Sequence, residues 1–173
     1  MIAGKNVALV PFEEKHLQKT LDLVNNLSIA TLINRVLPVA SFEHRKWYEE
    51  VICDKTQVIF AIEDNNKKAH IGNCGLKKID PRSLQAELWI YLEEGSLGRE
   101  YGTEAIQLLV KYGFDFLNLN RIYLYLMDYN KQAQRAFERV GFKTEGRFRQ
   151  HVFINGSFHD TIWMGLLRRE FKV

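Results

Sequence analysis

Apolar and polar residues alternate most regularly along residues 86–92, and this alternation predicts a β-strand. Aliphatic side chains occupy every second position of this stretch, and Glu87, Trp89 and Tyr91 occupy the positions between them. Successive side chains of a strand point to opposite faces of a sheet. We therefore expect Glu87 to share one face with the two aromatic rings.

Shorter apolar stretches predict further strands at residues 6–10, 57–62, 70–79 and 121–127. Residues 64–68 (Asp-Asn-Asn-Lys-Lys) form a polar turn between the second and third of these strands. The strand at 121–127 is apolar on both faces, which is typical of a strand buried between two layers. Near the end of the chain, Asn155 and Gly156 predict a hairpin with a two-residue type I′ turn.

Apolar residues spaced three and four apart predict four helices between these strands. Their apolar faces comprise Leu17, Leu21 and Val24; Trp47, Val51 and Ile52; Ala105, Leu108, Leu109, Tyr112 and Phe116; and Ala133, Ala136, Phe137 and Val140. Ser41 is the expected N-cap of the second helix, and Gly141 is the expected C-cap of the fourth. Strands and helices mixed in this order predict an α/β (α+β) fold.

Length and composition predict a single domain that spans residues 1–173. The chain is 46% hydrophobic and its formal net charge is +3, values that are ordinary for a globular protein. Its 11 Phe and 7 Tyr are too many for a disordered chain, and no stretch is long and apolar enough to predict a membrane span. No block of like charges predicts a nucleic-acid-binding arm. We therefore expect neither a nucleic-acid nor a membrane partner.

The cysteines and the first residues favour a cytoplasmic location. Cys53 and Cys74 are the only two cysteines, which suits a reducing compartment better than a disulfide scaffold. The first residues contain no apolar core of a secretory signal. No spacing of His, Cys, Asp and Glu matches a zinc site, so we expect no metal.

The loop at residues 95–102 joins the clearest strand to the longest helix and contains Gly95, Gly98 and Gly102. A helix that begins directly after such a loop offers unpaired N–H groups and the positive end of its dipole, which suits a phosphate or pyrophosphate. Arg99 adds positive charge to the same loop. The alternative is that the glycines only turn the chain, because isolated glycine patterns are weak signals.

Several stretches together resemble the GCN5-related N-acetyltransferases, in particular the branch of ribosomal-protein N-terminal and spermidine (diamine) acetyltransferases. The resemblance covers nearly the whole chain, and the order and spacing of its motifs are more specific than any one motif. The densest stretches are 86–92 (Ala-Glu-Leu-Trp-Ile-Tyr-Leu), 98–105 (Gly-Arg-Glu-Tyr-Gly-Thr-Glu-Ala), 130–133 (Asn-Lys-Gln-Ala), 139–142 (Arg-Val-Gly-Phe), 145–147 and 154–160.

This resemblance implies a central, mostly antiparallel mixed sheet that is splayed between its fourth and fifth strands, with helices on both faces. It also implies transfer of an acetyl group from acetyl-CoA, the co-substrate, to a primary amine. Backbone groups of Ile90, Tyr91 and Leu92 would hold the pantetheine arm as an added strand does. The residues that match the family's pyrophosphate loop and its later cofactor contact are Leu97, Gly98, Arg99, Glu100, Tyr101, Gly102, Thr103 and Asn130.

Two places depart from the family pattern. The pyrophosphate loop usually reads Gln/Arg-x-x-Gly-x-Gly/Ala, whereas this chain has Leu97 and Glu100 at the first and fourth places. A carboxylate near a pyrophosphate is unfavourable unless it points to solvent. Phe137 stands where diamine acetyltransferases carry a Tyr that protonates the departing thiolate. Because Phe has no proton to give, another acid, a water molecule or exchange with solvent must serve.

Glu87 is the candidate catalytic base. An amine that is charged at neutral pH must lose a proton before it attacks a thioester, and a carboxylate acting through water can accept that proton. We expect Trp89 and Tyr91 to raise the pKa of Glu87 by partial desolvation. The alternative is an exposed strand glutamate that is paired with a neighbouring cation.

The attack itself needs positioning and a backbone N–H that polarises the thioester carbonyl. We therefore expect direct transfer without an acyl-enzyme. Neither Cys53 nor Cys74 has a nearby partner in the sequence that would activate it, so we expect both to pack as ordinary side chains.

The resemblance places the acceptor pocket beside residues 34–39, with the final hairpin as another wall. The candidate pocket residues are Arg35, His44, Trp47 and His151. Residues 31–40 contain Arg35 and no acid, whereas diamine enzymes place acids there to hold the distal cations of a polyamine.

Three acceptors follow from this in order of preference. A small-molecule or protein N-terminal amine comes first, a nucleotide-linked amino sugar second and a polyamine third. A non-catalytic CoA-binding module is the hypothesis of another class. The sequence leaves a homodimer open.

Overall fold

Eight strands form one sheet in the computed structural model, which describes residues 1–35, 37–96 and 100–172. The order across the sheet is β1 (Ile2–Ala3), β2 (Val7–Pro11), β3 (Val58–Asp64), β4 (Ala69–Asp80), β5 (Gln85–Leu92), β6 (Arg121–Met127), β8 (Ser157–Leu167) and β7 (Lys143–Ile154). Neighbouring strands are antiparallel except β5 and β6, which are parallel. The predicted α/β fold with a mostly antiparallel sheet is confirmed.

Five α-helices cover the sheet: α1 (Leu17–Asn25), α2 (Leu27–Leu32), α3 (Ser41–Cys53), α4 (Tyr101–Asp115) and α5 (Lys131–Val140). The alternation along β2 shows that helices pack on both faces. Val7 and Leu9 lie in the main core with residues of α4, whereas Ala8 and Val10 pack with Leu17 and the rings of α3 on the opposite face. The predicted arrangement of helices on both faces is confirmed.

The sheet is splayed between β5 and β6. These strands pair only through Gln85, Ala86 and Glu87, which face Arg121, Ile122 and Tyr123. From Leu88 to Leu92 the edge of β5 that faces β6 has no strand partner among the described residues. The predicted splay is thus confirmed. Because the short strand β1 was not predicted, the two strands that separate are the fifth and sixth of the sheet rather than the fourth and fifth.

Local details differ from the sequence prediction at both ends of helices. Ala40, not Ser41, is the N-cap of α3, and its N–H donates to the Glu43 carboxylate at 3.1 Å. Phe116, predicted to lie on the apolar face of α4, is the C-cap and is 75% exposed. Helix α2 was not predicted; it begins after Asn26, whose side chain accepts the Ser28 N–H.

Strand β6 is buried on one face only, so its predicted position between two layers is wrong. Ile122, Leu124 and Leu126 belong to the main core. On the other face, Tyr123 and Tyr125 are half-buried and stack beside Trp163 of β8. The reason is that α1 and α3 cover only the half of the sheet that contains β2, β3 and β4.

Candidate active site

A groove with a cavity of about 760 Å³ opens where β5 and β6 separate. Its walls are the end of β5, the first turn of α4 and one side of α5. Seven predicted cofactor residues line it: Ile90, Tyr91, Leu92, Glu100, Gly102, Thr103 and Asn130. Leu97, Gly98 and Arg99, the other predicted loop residues, lie outside the residues that the structure describes.

Tyr101 is the exception among the predicted cofactor residues. Its side chain is buried and does not line the groove, because its hydroxyl donates to the Asp64 carboxylate at 3.2 Å in the interior. Tyr101 therefore fixes the first turn of α4 to the end of β3. Only its backbone remains available to a ligand.

The groove fits the pyrophosphate and pantetheine of CoA. The first N–H groups of α4 have no partner within the helix and carry the positive end of its dipole. A Cβ atom added at Gly102 would meet only Leu92 Cδ1, at 3.4 Å, so space is open above this turn. The unpaired edge of β5 offers backbone groups to an extended chain such as pantetheine.

Three cations of α5 also line the groove, and the sequence prediction missed them. Lys131, Arg135 and Arg139 follow one another at intervals of four residues, so they lie along one side of the helix. This spacing of basic residues is the signal that could have found them. At the start of α5, Asn130 accepts the Ala133 N–H at 3.1 Å and caps the helix.

Glu100, whose charge opposes a pyrophosphate, points largely to solvent. Its side chain is 78% exposed, and Oε1 lies 3.8 Å from Nη1 of Arg139. The backbone of Glu100 is left-handed, with φ of 63°, at the N-cap of α4. This conformation favours glycine, so Glu100 adds backbone strain at the start of the helix.

A second cavity of about 990 Å³ lies on the other side of β5. It is enclosed by α1, the residues after α2, one face of α3, and parts of β3, β4 and β5. Arg35, His44 and Trp47, which were predicted to line the acceptor pocket, are brought together here. Two aromatic pairs form its walls: His44 stacks on Trp47 at 4.9 Å, and Trp89 stacks on Tyr91 at 5.8 Å.

His151 does not line this second cavity. It lies on β7, and β8 separates β7 from β6, so the hairpin carries His151 away from the helices that close the cavity. Its Nδ1 is 2.8 Å from Thr161 Oγ1, and its ring packs edge-on against Tyr125 and Phe148. The prediction of His151 as a pocket residue is therefore not supported by its position.

A buried amide organises the floor of the second cavity. Asn73 Nδ2 donates to Thr20 Oγ1 at 2.9 Å and to the Tyr91 hydroxyl oxygen at 3.1 Å. Burial, the largest cause, raises the pKa of Tyr91, so this hydroxyl keeps its proton throughout the physiological range. Burial likewise lowers the pKa of His44, which leaves its imidazole neutral at pH 7.

Glu87 is 3% exposed and is clamped by two consecutive lysines. Lys77 Nζ lies 2.9 Å from Oε1, and Lys78 Nζ lies 2.7 Å from Oε2. Both lysines reach the same carboxylate because a bulge interrupts β4 after Lys77 and gives Lys78 a left-handed φ of 53°. This bulge had no signal in the sequence pattern.

The environment of Glu87 differs from the one that its strand neighbours predicted. Burial raises the pKa of Glu87, but the hydrogen bonds and charges of Lys78 and Lys77 outweigh burial, and the net pKa is lowered. The expected rise is therefore wrong in direction. Glu87 lines neither cavity, whereas its partner Lys77 lines the second one.

The two cavities meet at β5. Ile33, Ile90 and Tyr91 line both of them, so the strand that borders the groove also forms a wall of the second cavity. A thioester held along the edge of β5 would therefore lie within reach of a group that enters the second cavity. Neither cysteine lines a cavity, and burial raises the pKa of Cys74, which disfavours its thiolate.

Within the described ranges, no cluster of His, Cys, Asp and Glu has the geometry of a metal site. Over the same part of the chain, no helix combines the length and the apolar character that a membrane-spanning helix needs.

The sequence profile of the acetyltransferase (GNAT) domain matches residues 6–143. The chain belongs to the GNAT acetyltransferase family. It is 29% identical over 171 residues to spermidine N(1)-acetyltransferase of Escherichia coli K12, a match that covers 99% of this chain and 91% of that enzyme. It is also 31% identical over 101 residues to YdaF of Bacillus subtilis, which is provisionally named a ribosomal N-acetyltransferase. That match covers 58% of this chain and 55% of YdaF.

The fold is also that of a solved GNAT enzyme. Spermidine N-acetyltransferase of Vibrio cholerae in complex with CoA and spermine superposes with a TM-score of 0.91 and 28% identity. The match covers 95% of this chain and 97% of that one, and a dodecameric structure of the same enzyme is also known. Family and fold together make this GNAT protein an acetyl-CoA-dependent N-acetyltransferase.

Proposed function

We propose that the acetyl group passes directly from acetyl-CoA in the groove to a primary amine in the second cavity. The observation that carries this proposal is the shared wall of the two cavities at Ile33, Ile90 and Tyr91. Holding two reactants on either side of one strand converts a bimolecular reaction into an effectively unimolecular one. The second cavity is hereafter called the acceptor cavity.

The backbone of β5 and the start of α4 carry the cofactor in this proposal. Acetyl-CoA supplies the activated acetyl group. The unpaired backbone groups that follow Glu87 hold the pantetheine arm, and one N–H on this edge polarises the thioester carbonyl. The first turn of α4 at Gly102 and Thr103, with Lys131, Arg135 and Arg139 of α5, holds the phosphates.

Glu87 remains our candidate for the group that accepts the proton of the amine. Its lowered pKa keeps the carboxylate ionised at every pH at which the amine reacts. Both of its oxygens are hydrogen-bonded to lysines, so a proton can reach it only through water at the side where Lys77 borders the acceptor cavity. The alternative role is that Glu87 positions Lys77.

The departing thiolate takes its proton from water or solvent in this proposal. Phe137 lines the groove at the family position of the acidic Tyr, and it packs against Phe142 at 5.4 Å. No hydroxyl replaces it at that position. The nitrogen of the charged amine loses two protons in forming the amide; one balances the proton that the thiolate gains and the other is released to solvent, so transfer needs no external acid.

The acceptor that we place first is a small-molecule or protein N-terminal amine. Arg35 lines the acceptor cavity, and a nucleotide-linked amino sugar would use its charge for phosphate. Spermidine is the alternative that the comparisons favour, because the enzymes matched over nearly the whole chain act on it. The dodecamer of the Vibrio cholerae enzyme supports a homo-oligomer, of which a homodimer is the smallest.

Release of free thiol from acetyl-CoA, measured with a panel of amines, tests this proposal. The panel contains spermidine, peptides with N-terminal Ser or Ala, glucosamine 6-phosphate and a UDP-linked amino sugar. Turnover with one class identifies the acceptor. Tight CoA binding without turnover of any amine would instead support a non-catalytic CoA-binding module.

A further inference from the structure

Behind the acceptor cavity, His70, Asn73, Thr20 and Tyr91 form a chain of hydrogen bonds in which each donor and acceptor can be assigned. His70 Nε2 lies 2.9 Å from the carbonyl oxygen of Gly72 and 2.9 Å from Asn73 Oδ1. A carbonyl oxygen can only accept, so Nε2 carries the proton and Asn73 must turn its oxygen towards His70. The amide nitrogen of Asn73 therefore faces Thr20 and Tyr91, and it donates to both hydroxyl oxygens.

Each hydroxyl consequently uses its oxygen as an acceptor and still has its own proton to donate. Among the described residues, neither hydroxyl donates a hydrogen bond, and the two hydroxyls do not bond to each other. Thr20 and Asn73 are fully buried, and both Thr20 and Tyr91 line the floor of the acceptor cavity. The half-buried Tyr91 hydroxyl can therefore donate its proton to an oxygen atom in the cavity, from water or from a bound group.

Arg35 adds positive charge beside these donors. It lines the same cavity with an exposed side chain, and its charge lowers the pKa of His44 and opposes the rise in the pKa of Tyr91. The two carboxylates of the cavity, Glu43 and Glu50, are exposed on α3, and Glu43 accepts the Ala40 N–H. Lys46 lies between them on the same helix face, and Lys77 is paired with Glu87.

We propose that the Tyr91 hydroxyl and Arg35 form a subsite that binds an anionic oxygen group, a carboxylate or a phosphate, carried by the amine substrate, and that the buried Thr20 and Asn73 fix the Tyr91 hydroxyl behind it. This proposal rests on acetyl transfer to an amine in the acceptor cavity. An ammonium group has donors and no acceptor, so a polyamine would leave the Tyr91 proton unpaired and would be repelled by Arg35. The neutral Tyr91 hydroxyl and the paired N–H groups of the Arg35 guanidinium can both donate hydrogen bonds to an anion.

Pairs of amines that differ by one anionic group, compared at equal concentrations of the unprotonated amine, test the subsite. Alanine and alaninamide form the carboxylate pair, glucosamine 6-phosphate and glucosamine form the phosphate pair, and spermidine is the polycation. We expect the anionic member of at least one pair to have a kcat/KM roughly 10- to 100-fold higher than its neutral partner, the range for hydrogen bonds to charged groups. The pair that responds distinguishes carboxylate from phosphate.

Variants that delete single donors identify the residues. We expect Tyr91→Phe and Arg35→Gln each to lower the ratio of kcat/KM for the anionic amine to kcat/KM for its neutral partner by about tenfold, a ratio that is not moved by effects common to both amines. Tyr48→Phe and Arg45→Gln are matched controls, because neither residue lines the cavity and Arg45 pairs with Glu14. A preference for spermidine or for the neutral partners, or an anion preference that survives both variants, would overturn the proposal.

A binding measurement separates failure of the subsite from failure of the proposed function. If no amine of the panel releases thiol, titration of the CoA-loaded protein with inorganic phosphate and with acetate, followed by tryptophan fluorescence, decides about the subsite. If phosphate or acetate binds, and Tyr91→Phe and Arg35→Gln both weaken this binding, the result would support the subsite even without turnover. Absence of binding, or binding that both variants leave unchanged, would contradict it.

Discussion

The cofactor groove and the acceptor cavity share a wall but are built on different principles. The groove is formed mainly by backbone: the unpaired edge of β5 and the first turn of α4, with cations of one helix added. The acceptor cavity is formed by side chains from five helices and strands and from the segment after α2, and its floor depends on one buried amide, Asn73. A backbone site tolerates many side chains, whereas a side-chain site changes with each substitution.

The largest effect is expected from a charge placed in the groove. Gly102→Glu should raise the KM for acetyl-CoA by about 100-fold or more, because like charges in close contact cost several kcal/mol. Gly102→Ala is the control, since its Cβ would meet only Leu92 Cδ1 at an ordinary distance of 3.4 Å. Initial rates measure both. An equal effect of Ala and Glu would show that the position is sensitive for steric reasons alone.

The next effect concerns Glu87. Glu87→Gln should lower kcat by roughly 100-fold if the carboxylate accepts the proton, within the range for general bases. Glu145→Gln is the matched control, because Glu145 is also paired with a cation, Arg121, but lies on β7. If Glu87 instead positions Lys77, Glu87→Gln and Lys77→Met should both raise the KM for the amine and leave kcat within about threefold.

The acceptor cavity should respond separately from the groove. Trp47→Ala removes one ring of the His44–Trp47 stack and should raise the KM for the amine by about tenfold, the effect of losing a buried aromatic contact. The KM for acetyl-CoA should remain within about twofold. Steady-state kinetics with each substrate varied in turn measure both constants, and a parallel rise in both would contradict two separable sites.

Mild acid should destabilise the fold through its buried histidines, of which His16 and His70 pack against each other at 4.9 Å and His44 lies apart in the acceptor cavity. Burial is the largest cause that lowers the pKa of His16 and of His70 below the ordinary 6.5, so the unfolded chain binds more protons than the folded one below that pH. Their contribution to stability is complete above pH 6.5 and decreases as the pH falls towards their folded-state pKa values. The free energy of unfolding should fall by roughly 1–2 kcal/mol between pH 7 and pH 5.5.

Urea unfolding at a series of pH values measures this dependence. The double variant His16→Gln and His70→Gln should show a flatter curve over the same interval. A stability that is unchanged down to pH 5.5 in the unsubstituted protein would show that the two imidazoles are not buried in their neutral form.

The smallest effect is expected at Glu100. Glu100→Gln removes a charge that points mostly to solvent, so the KM for acetyl-CoA should fall only about twofold to threefold. Glu100→Gly should in addition raise stability by about 1 kcal/mol, because the left-handed backbone at φ of 63° suits glycine. Thermal unfolding and initial rates check the two effects, and a loss of stability in Glu100→Gly would contradict the assigned strain.

The groove could be predicted from the sequence because its strand, loop and helix start have local signals and because the resemblance to the family supplied the remaining cofactor residues. The alternation from Ala86 to Leu92 predicted β5, and Gly102 with Thr103 followed it at the start of a helix. Tyr101 was misplaced because its hydroxyl finds Asp64, a partner 37 residues away. Only the fold reveals such a partner.

The acceptor cavity could be predicted only in part, because the sheet register assembles it. Arg35, His44 and Trp47 lie close together in the chain and were found, whereas Thr20, Asn73 and Lys77 come from separate elements and were not. His151 was misassigned because β8 inserts between β6 and β7, an order that local patterns do not encode. The bulge in β4 brings Lys78 to Glu87, so the pKa of Glu87 is lowered where the sequence predicted that it would be raised.

Initial-rate kinetics with acetyl-CoA and the accepted amine varied together test the central claim, direct transfer across the wall at Ile90 and Tyr91. Both substrates must be bound at once, so the double-reciprocal lines should intersect, and acetyl-CoA alone should release no stoichiometric burst of thiol. Parallel lines, with one equivalent of thiol released and the acetyl group retained on the protein before amine is added, would contradict direct transfer.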